Sequence, residues 1–524
     1  MKSSKYLVVA VLAVSLVISF GVDARSAEEC PPVTAPPEAF FRMVTSRHRA
    51  KARKFYKKHI DVDGLRIAAA GEVSNLALQR SYDMVKHMLA GRPDVLKAMV
   101  DGGMYLVIIG KDQVYTDIPE YSAVEDKDYI NERVRGTGGR PTSFGEENIL
   151  SMPIDRYDDE SIAVHEFCHT IDGTLHKMDP TWRTQLREIY QNAVAKGLYR
   201  DTYAIGSYGE YWAEGVQSYF DCNRVNNWNH GPIGRREQLK IYDPELYAFI
   251  EDTLKLGPGQ DWRYKWSQPL PNVIAPPAKF KINPYYTKFT FAREFPVVGR
   301  SASDEAMLKA NDTIRKMFAY RHDILKALMA DGLKLVVLGA DESISDLPEF
   351  KKAGGKGIDH MARFMGYSPE TKLLVVDEKN VLADLNEDPY ATDCQVLRVF
   401  AGAIYHVTGK RPVDPNWGKR LRSQQYELRV QRMDERFDRE LGELYDAAKS
   451  AGKWKGTSAT LGRVEYWTAG VLAYFDAVGQ DLPPAGADGP INTREELKKY
   501  DPDLYELVHK TMAYGGKVDW RYRK

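Results

Sequence analysis

Segments from the first half of the chain return in the second half in the same order. Leu106-Val-Ile-Ile-Gly returns as Leu335-Val-Val-Leu-Gly, and Asp117-Ile-Pro-Glu-Tyr as Asp346-Leu-Pro-Glu-Phe. Glu210-Tyr-Trp-Ala-Glu-Gly-Val returns as Glu465-Tyr-Trp-Thr-Ala-Gly-Val, and Asp261-Trp-Arg-Tyr as Asp519-Trp-Arg-Tyr. A preserved order of this kind marks a duplicated domain. At 524 residues the chain also exceeds what a single core supports. Residues 25–266 and 287–524 are therefore expected to be two copies of one domain, joined by a Pro-rich linker at 267–286.

Within each copy, helical and strand patterns are mixed, so the expected fold class is α+β. Residues 75–101 carry apolar positions at helical spacing, and Met104 to Ile109 reads as a strand stopped by Gly110. Glu38 to His59 reads as a basic helix, Pro180 to Lys196 as a second helix, and Asn148 to Met152 as a short edge strand. Such an edge can hold an extended peptide by main-chain hydrogen bonds. Arg135-Gly-Thr-Gly-Gly-Arg140 reads as a turn or a cleft-wall loop.

The first copy contains His165-Glu166-Phe-Cys-His169 in a stretch expected to be helical, with Asp158 or Asp159 as its cap. Residues four apart share a helix face, so the two imidazoles can bind one metal ion, with Glu166 at the edge of that face. Histidine is scarce, 11 in the whole chain, and a chance match is expected in roughly one such chain in a hundred. Two neutral nitrogens suit zinc, and the intervening Glu suits a general base. One Zn²⁺ per chain is expected, in the first copy. The second copy is a control. With Gly173 set against Gly409, His165, Glu166 and His169 fall on Ala401, Gly402 and Tyr405. Glu210 falls on Glu465, Glu214 on Ala469 and Tyr203 on Ser458. The scaffold recurs while the metal-binding set is gone, so the second copy is expected to be degenerate.

A catalytic zinc takes a third protein ligand. His176 comes one residue late for the elongated His-Glu-x-x-His-x-x-Gly-x-x-His motif. Glu210 and Glu214 lie four apart on a later helix, and spacing alone does not choose between them.

His165-Glu-Phe-Cys-His169, Tyr203 and Glu210-Tyr-Trp-Ala-Glu214 together resemble the catalytic domain of the anthrax lethal factor family of zinc peptidases, which the secreted Pro-Pro endopeptidases share. The resemblance covers about residues 145–220. It implies a zincin-like fold in both copies, Glu210 as the third ligand, Glu214 as an outer carboxylate, and Tyr203 as a residue that assists the reaction. Lethal factor carries its decayed copy before the active one, and here the active copy comes first. Glu214 and Asp172 are expected to receive the outer N–H groups of the metal-bound imidazoles. The function this implies is a zinc endopeptidase acting on protein or peptide. The alternative from another class is a matrix or binding protein that holds zinc structurally.

Lys2 and Lys5 followed by the apolar run Leu7 to Val22 read as a signal peptide, cut after Ala24, so residues 1–24 are removed and the mature chain is secreted without a membrane anchor. Equal numbers of basic and acidic residues, 73 each, give no bias toward nucleic acid. The second copy is expected to dock substrate or the first copy. Of the four cysteines, Cys168 and Cys222 are the expected disulfide pair, because the His and Glu helices must cross closely to share one ion. Residues 25–60 also admit a reading as a pro-segment in which the Cys30 thiolate caps the metal.

Overall fold

The structure, a computed structural model, describes residues 30–524 apart from 126, 128–129, 132–133, 200–201, 225–229, 268–271, 320, 351–362, 384–392, 409–434, 480–482, 514–520 and 523–524. The expected signal peptide lies outside the described residues.

Two small four-stranded sheets carry the two repeats, each flanked by helices, so the chain is a mixed α/β protein of the α+β kind. The first sheet runs β1 (Tyr56–Val62), β2 (Leu65–Ala70), β3 (Tyr105–Ile109), β4 (Thr142–Gly145), in that spatial order. β1 and β2 form an antiparallel hairpin, while β2–β3 and β3–β4 are parallel. The second sheet repeats this order and sense with β5 (Lys288–Ala292), β6 (Phe295–Gly299), β7 (Lys334–Leu338) and β8 (Leu373–Asp377). All five residues of β3 are buried, which explains its unbroken apolar run: helices cover both of its faces.

The helices of 75–101 form as expected, as Asn75–Met88 and Pro93–Asp101, and Pro180–Lys196 is a helix with Asp179 as its cap. Three expectations are corrected. The basic stretch from Glu38 is helical only to Phe55, because Tyr56 to His59 belong to β1. Asn148 to Met152 is not a strand: a short helix, Glu146–Ile149, precedes Ser151 in the left-handed region, and the edge strand is β4. The His helix (Ile162–Met178) is capped by Ser161, whose hydroxyl accepts from the Val164 amide. Asp158 is engaged elsewhere, in an ion pair with Arg315 of the second repeat.

The proline-rich segment is not a free linker over its described part. Ile274 pairs with Phe289 of β5, as Thr34 pairs with His59 of β1. Thr34-Ala-Pro-Pro and Ile274-Ala-Pro-Pro are thus corresponding segments, and the second repeat begins near residue 272.

The Glu helix (Tyr208–Tyr219) packs across the His helix, and the Trp212 indole N–H donates to the Cys168 carbonyl at 3.1 Å. The second repeat makes the same bond, from Trp467 on Arg463–Tyr474 to the Ala401 carbonyl on Gln395–Thr408, also 3.1 Å. Tyr211 and Tyr466 likewise donate to Asp243 and Asp501. These paired contacts set the true register between repeats. Cys168 matches Ala401, so His165 matches Arg398, Glu166 matches Val399 and His169 matches Gly402. Matching Gly173 to Gly409 had slipped the helix by three residues, nearly one turn.

The expected Cys168–Cys222 bond is absent. Both are buried free thiols, as Cys394 is, and Cys30 is a free thiol as well. The Cys222 thiol lies 3.6 Å from the Phe220 carbonyl, and the Trp212 indole holds the helix crossing instead. Among the described residues no helix is long and apolar enough to cross a membrane.

Candidate metal centre

Two helix faces meet in the first repeat. His165 and His169 project from one face of the His helix, one turn apart, and Glu210 from the first turn of the Glu helix. The His165 and His169 Nε2 atoms are 3.2 Å apart. Glu210 Oε2 lies 3.1 Å from His165 Nε2 and 3.4 Å from His169 Nε2. Bonds of about 2.0–2.1 Å to a tetrahedral zinc require ligand atoms about 3.3 Å apart. The triangle fits that ion without rearrangement. Tyr203 stands at the edge of the triangle.

Charge also favours a cation. Burial disfavours protonated His165, yet Glu210, Glu166, Glu214 and Glu160 prevail and push its pKa up to about 10. Burial likewise opposes charge on Glu210, but hydrogen bonds from both imidazoles hold its carboxyl far below the usual range. Four carboxylates around one imidazole demand positive charge, from protons or from a metal ion.

The tautomer of His165 is fixed by a residue the sequence reading missed. Gln217 Nε2 donates to the Ser161 carbonyl at 3.1 Å, so its Oε1 must face the His165 ring, and His165 Nδ1 donates to it at 3.0 Å. Nε2 is then the nitrogen that faces the centre, and it offers a lone pair there once its proton is displaced. Gln217 stands seven residues after Glu210, two helical turns along the same face, and that spacing was the available signal.

This corrects the outer-shell expectations. Glu214 lies 3.8 Å from His165 Nδ1 but is engaged by His230 Nδ1 at 2.9 Å and by Asn223 at 3.3 Å. His230 also reaches Glu160 at 3.2 Å, and the two buried carboxylates outweigh burial to hold its pKa well above the usual imidazole range. Asp172 faces away and pairs with Arg183 at 2.9 Å. Neither Glu160 nor His230 was legible: Glu160 precedes the His helix, so helical spacing does not place it, and no local spacing ties His230 to that helix. His176 lies outside the donor cluster. Cys30 also sits apart from it, beside Asp83 on the Asn75–Met88 helix. Its segment follows β1, the sheet edge opposite β4.

Glu166 sits beside the imidazoles, and burial pushes its carboxyl above the usual range. The Gly138 amide donates to it. The 135–140 loop is a cleft wall: Thr137 pairs with Ser143 of β4 in both directions, at 3.1 and 2.8 Å, and lies over the His helix. A Cβ on Gly138 would stand 2.5 Å from the His169 Cβ, so only glycine allows this approach. Tyr203, in a 3₁₀ turn just before the Glu helix, is 43% exposed, with its ring 6.3 Å from that of His165. Partial burial together with the charge of the nearby Glu210 carboxylate raises the phenol pKa.

In the second repeat the corresponding positions are Arg398, Val399, Gly402, Glu465, Ala469 and Ser458. Arg398, standing for His165, forks onto Asp393 at 2.9 Å and feels the charge of Glu465. A fixed guanidinium thus stands in the second repeat where an imidazole stands in the first.

No protein-family model, curated protein or solved structure matches the chain.

Proposed function

We propose that the chain is a secreted zinc-dependent endopeptidase whose first repeat is the catalytic unit and whose second is a degenerate copy, both zincin-like in fold. The observation that carries this reading is the triangle of His165 Nε2, His169 Nε2 and Glu210 Oε2, with sides of 3.1–3.4 Å, bordered by Glu166 and Tyr203. The resemblance of the same residues to the lethal factor family supports it.

His165, His169 and Glu210 would hold the ion, with Gln217 orienting the first imidazole. Zinc bound there would lower the pKa of a water toward about 7 and polarise a peptide carbonyl. Glu166 takes a proton from the attacking water and returns it to the leaving amine. A carboxyl raised by burial suits both steps, since it binds a proton firmly enough to carry it. Tyr203 donates its hydroxyl proton to the oxygen that gains charge, and its elevated pKa keeps it protonated for that purpose. The loop segment at Thr137, bridged to β4, borders the site, so an extended substrate would lie along this wall.

A protein that merely stores or uses zinc structurally has no use for Glu166 or Tyr203 beside the ligands. Glu166→Gln tests the choice: zinc content should stay at one per chain while cleavage of a broad peptide library falls by at least about 10³-fold. Equal cleavage by wild type and variant, or none by either, would favour the binding-protein reading.

A further inference from the structure

The second repeat touches the first just ahead of the His helix. Arg315, on the Asp304–Met317 helix of the second repeat, forms an ion pair with Asp158, and their side chains are only 3% and 6% exposed. Asn311 aims the guanidinium: its Oδ1 accepts from Arg315 Nε at 2.8 Å, while its own amide donates to Thr290 and Phe291 of β5. Arg156 pairs with Glu294, at the tip of the β5–β6 hairpin, at 3.2 Å. Ile154 packs into the apolar cluster of the second sheet.

The duplication supplies a comparison. Counted from the cap serines Ser74 and Ser303, the first-repeat counterpart of Arg315 is Lys86, which is half-exposed and pairs with Asp63 on the surface. Arg315 and its orienting Asn311 are thus particular to the second repeat, and their target belongs to the first.

The segment they hold leads directly to the metal centre. Two residues after Asp158, Glu160 accepts from Gln217 at 3.3 Å and from His230 at 3.2 Å. The Ser161 carbonyl accepts the Gln217 amide, and the Ser161 hydroxyl caps the His helix. Gln217 orients His165.

We propose that the second repeat acts as a built-in positioning element of the metal centre, with Arg315 as the positioning residue that holds segment 154–160 through Asp158. The metal part of this inference rests on the zinc reading above. The contact with Asp158 does not. Removing one partner of a buried ion pair leaves the other charge unmatched, so the segment should loosen, and Gln217 and His165 should lose their fixed orientation.

The test uses the full mature chain. Arg315→Met should speed hydrogen exchange across residues 152–162 with or without metal. It should also speed zinc release to a chelator by up to about tenfold, the lower end of what losing a direct outer partner of a metal ligand costs in affinity. Arg315→Lys, which keeps the charge without the fork, should fall between. It decides by the same two readouts should the methionine variant not fold. Lys86→Met should leave both readouts at wild type. Unchanged zinc release, whether or not exchange rises, overturns the proposal, as does equal acceleration by Lys86→Met. A wild-type chain that takes up no zinc ends the peptidase reading and this inference together, whereas a zinc-loaded chain indifferent to Arg315 ends this inference alone.

Discussion

His165 donates its Nδ1 proton to Gln217 Oε1 across 3.0 Å, and the orientation of that amide is set by the Ser161 carbonyl on its other side. An imidazole whose Nδ1 proton is held by Gln217 keeps Nε2 aimed at the centre, so the ring need not turn when a metal displaces the Nε2 proton. Gln217→Leu should therefore weaken zinc affinity by about 10–100-fold while the fold persists. Chelator competition on the purified protein measures it, and wild-type affinity would show that Gln217 does not orient the ring.

Metal-free and metal-loaded protein should respond oppositely to pH. Without metal, His165 titrates at about 10, against about 6.5 in an unfolded chain. A raised imidazole pKa contributes stability that is complete below the unfolded value and is lost as pH rises through the folded one. The metal-free protein should thus melt at lower temperature as pH climbs from 7 to 10. Because zinc must displace that proton, binding at pH 8 should release about one proton per ion, visible as a buffer-dependent heat in titration calorimetry.

The two repeats should differ in what their matching glutamates do. Glu210→Ala removes one of three donors and should lower zinc content well below one per chain. Glu465→Ala should leave it unchanged, because Arg398 and Gly402 occupy the places of His165 and His169. Arg398→Met should cost about 1–3 kcal/mol, since it strips a buried Asp393 of its forked partner. Differential scanning calorimetry and metal analysis read both.

Gly138→Ala should be poorly tolerated although it changes one methyl group. The new Cβ would meet the His helix at 2.5 Å from His169 Cβ and 2.9 Å from the Glu166 carbonyl. Overpacking of this sort costs about 1–3 kcal/mol and would push the cleft wall off the helix. A wild-type melting temperature together with wild-type peptide turnover would refute the tight approach.

All four cysteines should be found as thiols. Unfolding without reductant should expose four groups to a thiol reagent, and in the native state Cys168, Cys222 and Cys394 should react far more slowly than Cys30. Any residue pair protected until reductant is added would contradict the structure.

Repetition in the text of the chain was enough to read the duplication, and a spacing of four was enough to put His165 and His169 on one face, because both are local properties that survive any arrangement of the helices. The helical character of 75–101 and the helix at 180–196 were legible for the same reason. The strand after Gly145 was misplaced, since the four buried residues of β4 are too few to show a period. Which glutamate approaches the imidazoles, which side chain fixes their tautomer, and that Arg398 stands where His165 does were decided only by packing. Those answers depend on how two helices cross whose contacting residues, Cys168 and Trp212, lie 44 positions apart, a crossing held by the Trp212 indole and matched by Trp467. A linear pattern carries no record of that angle, so a slip of three residues inside a helix passes unnoticed until its neighbours are in place.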